Sequence, residues 1–191
     1  MRDLAILTFV TLDGVMQGPS KPDEDLSGGF EKGGWAAPFW EEVMIQVGRE
    51  AMAMPYDMLF GRKTYDLFAE HWTQAEDEPA GMMNAARKYV VSRGKPDLGW
   101  ANSHLISGDV PANLRALKRS AGPLLQVHGS ANLIQTLLAH DLIDEFRLWT
   151  FPVVAGCGKR LFDPGAAPNT LRLVKHEQTE NGVVMAIYRR T

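Results

Sequence analysis

The chain has a single cysteine in 191 residues, Cys157, so no disulfide can close within it, which suits a reducing compartment. It has no excess of positive charge: 20 Lys and Arg stand against 23 Asp and Glu, giving a formal net charge of -3. That balance lacks the positive field that contact with a phosphate backbone requires, and no nucleic-acid partner is expected. No apolar run reaches the roughly 18 residues of a membrane span. The segment Met1 to Val10 places two charges before a short apolar run and lacks the charged, apolar and cleavage regions of a signal peptide. A soluble cytoplasmic protein acting on a small molecule is expected, with no membrane partner.

Several functional motifs are missing as well. No Gly-x-Gly-x-x-Gly follows the first strand, and no Gly-Lys-Ser/Thr run marks a P-loop. Neither His-Glu-x-x-His nor paired Cys-x-x-Cys occurs, so His71, His104, His128, His140 and His176 read as structural or surface residues and no metal is expected. Asp23, Glu24 and Asp25 lack regular ligand spacing and read as a solvated tip.

What is present is ordinary globular material: 45% hydrophobic and 23% charged residues, enough for one compact domain over residues 1–191. Leu4 to Val10 is a nearly continuous apolar run, the pattern of a strand covered on both faces. Thr11 to Ala37 is rich in Gly and Pro and predicts a long loop, read as a mobile lid over Gly14 to Trp35. A helix follows Pro38, with Phe39, Trp40, Val43, Met44, Val47 and Ala51 on one face. Strands are expected at Met58 to Phe60, Tyr89 to Val91, His104 to Ile106, Leu124 to Val127 and Glu145 to Val154. Helices are expected after Gly61, after the N-cap Asp109, and after Gly129. Leu171 to Thr179 faces Val183 to Tyr188 across Asn181 and Gly182, a dipeptide that favours a type I′ turn. The pattern implies an α/β fold with a mostly parallel sheet, helices on both faces and a C-terminal antiparallel hairpin.

Two strand-to-helix turns carry the candidate chemistry, because helix starts offer free N–H groups and a positive dipole to anions. Gly61, Arg62, Lys63 and Thr64 combine a small residue, two cations and a hydroxyl; Gly129, Ser130 and Ala131 form a second small-residue start. A diphosphate between them explains both, whereas tight helix-on-sheet packing explains either one alone. Ser92 and Arg93 put a hydroxyl and a planar cationic fork at a strand end, suited to a ribose 2′-phosphate and hence to NADPH over NADH; the alternative is a solvated arginine. Asp13, directly after the first strand, is the candidate proton donor, its alternative being a turn residue bonding its own backbone. Trp35 and Trp40 are candidates to stack on a planar substrate; Glu41 and Glu42 are the substrate-side carboxylates that would replace Asp13 as proton donor, their alternative being helix N-terminal charges facing water.

In order, Thr11–Val15 (TLDGV), Gly61–Tyr65 (GRKTY), Lys88–Arg93 (KYVVSR), Gly129–Leu133 (GSANL), Leu142–Glu145 (LIDE) and Pro152–Phe162 (PVVAGCGKRLF) form one pattern. It resembles the family named for the C-terminal reductase domain of bacterial riboflavin-biosynthesis enzymes, and the resemblance covers Leu4 to Tyr188. It implies a dihydrofolate-reductase-like fold, NADPH-dependent reduction of a small heterocyclic or carbonyl-like compound, and a homodimer. By position it assigns Gly61 to Thr64 to the diphosphate, Ser92 and Arg93 to the 2′-phosphate side, and Gly129, Ser130, Ala131 and Leu133 to the diphosphate and nicotinamide half. Val10 and Gly14 would border the nicotinamide. Dihydrofolate and 5-amino-6-(5-phosphoribosylamino)uracil are the named substrate alternatives, and a nucleotide-binding protein without catalysis is the alternative of another class. A second copy is expected to pair with, or pack on, the apolar strand Phe146 to Val154.

Overall fold

The computed structural model describes residues 1–164 and 170–191. The strands are β1 (Leu4–Thr11), β2 (Tyr56–Gly61), β3 (Lys88–Val91), β4 (Ser103–Ile106), β5 (Leu124–His128), β6 (Glu145–Phe151), β7 (Leu171–Gln178) and β8 (Val184–Arg190). The helices are α1 (Trp40–Met52), α2 (Arg62–Trp72), α3 (Glu78–Ala85), α4 (Val110–Arg119) and α5 (Ala131–Ala139). The strands form one 8-stranded sheet in the order β4-β3-β2-β5-β1-β6-β8-β7. Pairing is parallel from β4 to β6 and antiparallel between β6 and β8 and between β8 and β7.

The continuous apolar run of β1 places it in the middle of the sheet, paired with β5 and β6 and covered on both sides. Alternate residues serve opposite faces. Leu4, Ile6, Leu59 and Val127 pack with Leu114 of α4 and Ile134 and Leu137 of α5. Ala5, Leu7 and Trp149 pack with Val43 and Ala51 of α1, and Met58, Phe60 and Val90 pack with Tyr65 of α2 and Met83 of α3. The last carbonyls of α1 lack partners within the helix, and the sheet supplies them: Gln126 Nε2 donates to Ala51 O and Arg147 Nη1 to Glu50 O, both at 2.7 Å.

Three expectations need correction, and one helix was not foreseen. The β7–β8 connection is not a type I′ turn, because Asn181 has no positive φ and only Gly182, at φ 90, is left-handed. Gly182 N donates to Thr179 O and Thr179 N to Val183 O, the three-residue loop of a type I turn closed by a glycine bulge. Helix α3 had no apolar period to announce it; its signals are the cap Asp77, which accepts from Ala80 N at 2.8 Å, and a proline in its first turn. Strand β6 ends at Phe151 and lies between β1 and β8, so neither of its edges is free to pair with a second copy. The β1–α1 loop is not loosely attached, since Val15, Phe30, Trp35 and Ala36 are core residues. Among the described residues, no helix is long and apolar enough to cross a membrane.

Candidate functional site

Six parallel strands bring the residues that follow β1, β2, β3, β4, β5 and β6 to one edge of the sheet. From β2 the chain passes through α2 on one face to β3, and from β5 through α5 on the other face to β6. The neighbours β2 and β5 therefore lead in opposite directions, which opens a crevice beyond their carboxyl ends, the position where ligands enter open α/β sheets.

The two candidate turns meet at this crevice. Gly61 N donates to Ser130 Oγ at 3.0 Å, and Ser130 Oγ donates to His128 O at 3.3 Å. Ser130 is held in the left-handed region at φ 60, directly after Gly129 at φ 56. A non-glycine residue there is strained, by about 1–3 kcal/mol. Its hydroxyl spans the crevice and leaves α5 without a side-chain cap; α2, which starts after Gly61, has none either. By contrast α3 and α4 are closed by Asp77 and Asp109, while α1, also without a side-chain cap, continues from a 3-10 turn over Ala37–Phe39. The uncapped starts leave Arg62, Lys63, Thr64, Ala131 and Leu133 on the first turns of two helices with amide donors open to an anion. A Cβ at Gly61 would lie 3.6 Å from Ser130 Cβ and Oγ, an ordinary contact, so the protein's own packing does not require glycine there.

The cations divide in role. Arg62 Nε donates to both carboxylate oxygens of Asp66 at 2.7 Å, a bond that raises its pKa and turns its guanidinium along α2. Lys63 is 84% exposed at its side chain, with Asp25 Oδ1 at 3.9 Å. Beside β2, Ser92 N donates to Ile106 O at 3.1 Å, and Arg93 stands exposed at the strand end without an ion pair among the described residues. A groove of about 840 Å³ runs between α4 and the β3–β4 edge, lined by Arg87, Tyr89, His104, Leu117 and others. Most of it is remote from the crevice; only its Ile106, Ser107 and Asn113 end reaches the carboxyl edge near Ser92.

Asp13 does not fit the role of proton donor. Its carboxylate accepts from Thr11 Oγ1 at 2.6 Å, Ala155 N at 3.0 Å and Gly156 N at 2.8 Å, while Arg160 donates to its backbone carbonyl. The hydrogen bonds, first that from Thr11, hold its pKa at about 2, so it is an anion at neutral pH and binds the β6–β7 connection to the end of β1. Trp35 is not free to stack on a substrate: it is 8% exposed, donates through Nε1 to Gln17 O at 2.8 Å and meets Phe151 edge-on. Trp40 is 36% exposed and edge-on to Phe9, leaving part of its ring open. Glu41 and Glu42 are exposed on the first turn of α1, and Glu42 Oε2 accepts from Asn181 N at 3.4 Å, away from the crevice. Val10 is buried in the same cluster as Leu133, and Gly14 is left-handed at φ 82 as its amide donates to Thr11 O.

His128, expected to be a structural or surface residue, is structural and lies buried at this edge. His128 ends β5 immediately before the Gly129–Ser130 turn, with its ring 6.3 Å from Phe60 and 5.7 Å from Phe68. Burial, with a smaller push from Arg147, lowers its pKa to about 4, so it is neutral. Gln126 spends its Nε2 on Ala51 O, so its Oε1 accepts at 3.2 Å and His128 carries its proton on Nε2.

Among the described residues, no group of three or more His, Cys, Asp or Glu is placed to hold a metal ion. Comparison with known proteins agrees with the architecture. The uncharacterized protein YyaP of Bacillus subtilis (strain 168) is 32% identical over 136 residues, 69% of this chain and 72% of that protein. A crystal structure from Shewanella sp. PV-4, of a protein provisionally assigned to riboflavin biosynthesis, superposes with a TM-score of 0.64 at 18% identity, covering 100% of this chain and 99% of the other. The family profile described as RibD C-terminal domain matches residues 3–185. With the parallel sheet, its antiparallel C-terminal hairpin and that match in agreement, the chain belongs to the RibD C-terminal domain family and has its dihydrofolate-reductase-like fold.

Proposed function

We propose that the protein is an NADPH-dependent reductase of a small heterocyclic or carbonyl-like compound. The observation that carries this reading is the pair of uncapped helix starts, α2 and α5, joined across the switch point by Gly61 N and Ser130 Oγ. The fit to a dinucleotide lies in these open amides, which suit a diphosphate, and in Arg93, an uncommitted guanidinium one strand away, which suits a 2′-phosphate. When bound, the nicotinamide supplies the hydride. Lys63 contributes positive charge from the first turn of α2, Thr64 and Ser130 contribute hydroxyls, and Val10 of β1 and Gly14 just after it border the crevice. Because Asp13 is ionised and committed, the proton that accompanies hydride comes from water or from the substrate itself.

The experiment is calorimetric titration with NADPH and NADH. NADPH is expected to bind more tightly, and Arg93→Ala to lose about 10- to 150-fold in NADPH affinity, the equivalent of about 1.5–3 kcal/mol for hydrogen bonds to a charged group, with NADH binding barely changed. Equal losses for both cofactors would remove Arg93 from this role. A second reading, nucleotide binding without turnover, is favoured by the locked state of Asp13. NADPH oxidation with a panel that includes dihydrofolate and aminouracil compounds separates the two.

A further inference from the structure

Asp25 lies in the connection between β1 and α1, and its carboxylate stands between two ammonium groups. Oδ2 pairs with Lys159 Nζ, in the segment after β6, and Oδ1 lies 3.9 Å from Lys63 Nζ, on the second residue of α2. In the sheet, β2 and β6 are separated by β5 and β1. One carboxylate thus links the two sides of the carboxyl edge, across the crevice where the two helix starts meet.

The position of Asp25 is fixed from behind. Gln17, only 4% exposed, donates through Nε2 to the carbonyls of Asp25 and Ser27, each at 2.9 Å. Its Oε1 accepts from Lys159 N at 2.9 Å, and its own carbonyl takes the Trp35 indole. Ser27 Oγ donates to Asp25 Oδ1 at 2.6 Å. Burial raises the Asp25 pKa, but the bonds from Lys159 and Ser27 outweigh it and hold the group below the usual carboxylate range. It is an anion at neutral pH. Between residues 20–29 and the start of α2, the contact with Lys63 is the one polar tie among the described residues.

We propose that Asp25 is an electrostatic strap over the crevice: without ligand it engages Lys63, and an incoming diphosphate must take Lys63 from it. The proposal rests on the diphosphate reading of the α2 start. An ammonium shared between Asp25 and a phosphate would hold two anions near each other, and their repulsion drives the exchange. The loop base, held by Val15, Gln17, Phe30 and Trp35, is packed, so the opening is confined to the tip. Because Lys63 is largely exposed, the contact is modest, and its loss is expected to tighten anion binding by about two- to five-fold at low salt.

The test titrates the full chain, Asp25→Asn and Lys159→Met with inorganic pyrophosphate and with NADPH, and follows hydrogen exchange over residues 20–29. Asp25→Asn is expected to bind both more tightly, and ligand is expected to raise exchange at the tip of the wild-type loop while residues 15–17 and 30–36 stay protected. Lys159→Met removes the other arm and leaves Asp25 facing Lys63, so its affinity should be equal to or weaker than that of the wild type. Unchanged or weaker binding by Asp25→Asn overturns the strap, as does equal tightening by both variants, which would mean loop loosening alone. If neither pyrophosphate nor NADPH binds any of the three proteins, the nucleotide reading itself falls and the strap with it; if they bind but charge at residue 25 has no effect, only the strap falls.

Discussion

The neutral His128 should make this fold acid-labile in a defined window. Its ring is enclosed by Phe60 and Phe68, and burial lowers its pKa from 6.5 to about 4. Between those values the unfolded chain binds a proton that the folded protein refuses. Stability from this group is therefore fully present above pH 6.5 and is lost as the pH falls toward 4. A shift of about 2.5 units, at 1.36 kcal/mol per unit, gives a contribution of about 3 kcal/mol, a large share of the roughly 5–15 kcal/mol that stabilises a domain. Urea denaturation of the wild type and of His128→Gln at pH 7, 6, 5 and 4 measures it, because the carboxylates common to both proteins cancel in the difference. The stability gap between the two is expected to move by about 3 kcal/mol in favour of the variant on going from pH 7 to pH 4. Parallel pH profiles would refute the reasoning and place the ring in contact with water or a charge partner.

Lys88 gives the opposite end of the pH scale. It is 0% exposed, with Nζ donating to Asn84 O at 2.7 Å and Ala101 O at 3.1 Å and lying 4.4 Å from the centre of the Trp100 ring. Burial lowers its pKa from 10.5 to about 8, so its share of the stability is lost as the pH falls from 10.5 to 8; in denaturant titrations wild-type stability should rise relative to Lys88→Met as the pH is raised from 8 to 10.5, and a flat difference would contradict the burial. Ser130→Ala keeps the left-handed backbone but strands Gly61 N, and is expected to cost about 1–3 kcal/mol by thermal melting. Ser130→Gly, which also lacks the hydroxyl, should cost less than Ser130→Ala, since glycine relieves the φ of 60, and the reverse order would refute backbone strain at this position.

Sequence alone determined the elements whose signal is local. The unbroken apolar run of β1 dictated a central strand, the Asp109 cap and its apolar spacing dictated α4, and the residues around Asn181 and Gly182 dictated a hairpin. The two helix starts and the strand-end Arg93 were legible for the same reason, since a small residue before a helix is a local arrangement. The turn class at Gly182 and helix α3 were not, although their bonds are local: the hairpin pattern fits more than one loop type, and α3 has a cap and a proline but no apolar period. The end of β6 was not, because it is set by pairing with β1, distant in sequence. What the tertiary structure alone decided is which polar groups are committed. Asp13 looks like a free carboxylate after a strand until Ala155 and Gly156 arrive from 142 and 143 residues away to bond it. Trp35 looks available until the sheet, through Phe151, and Gln17 bury it. Asp25 looks like part of a solvated acidic tip until Lys159 and Lys63 converge on it. A side chain's type is written in the chain, but its charge state and availability depend on which partners and how much water the fold leaves around it.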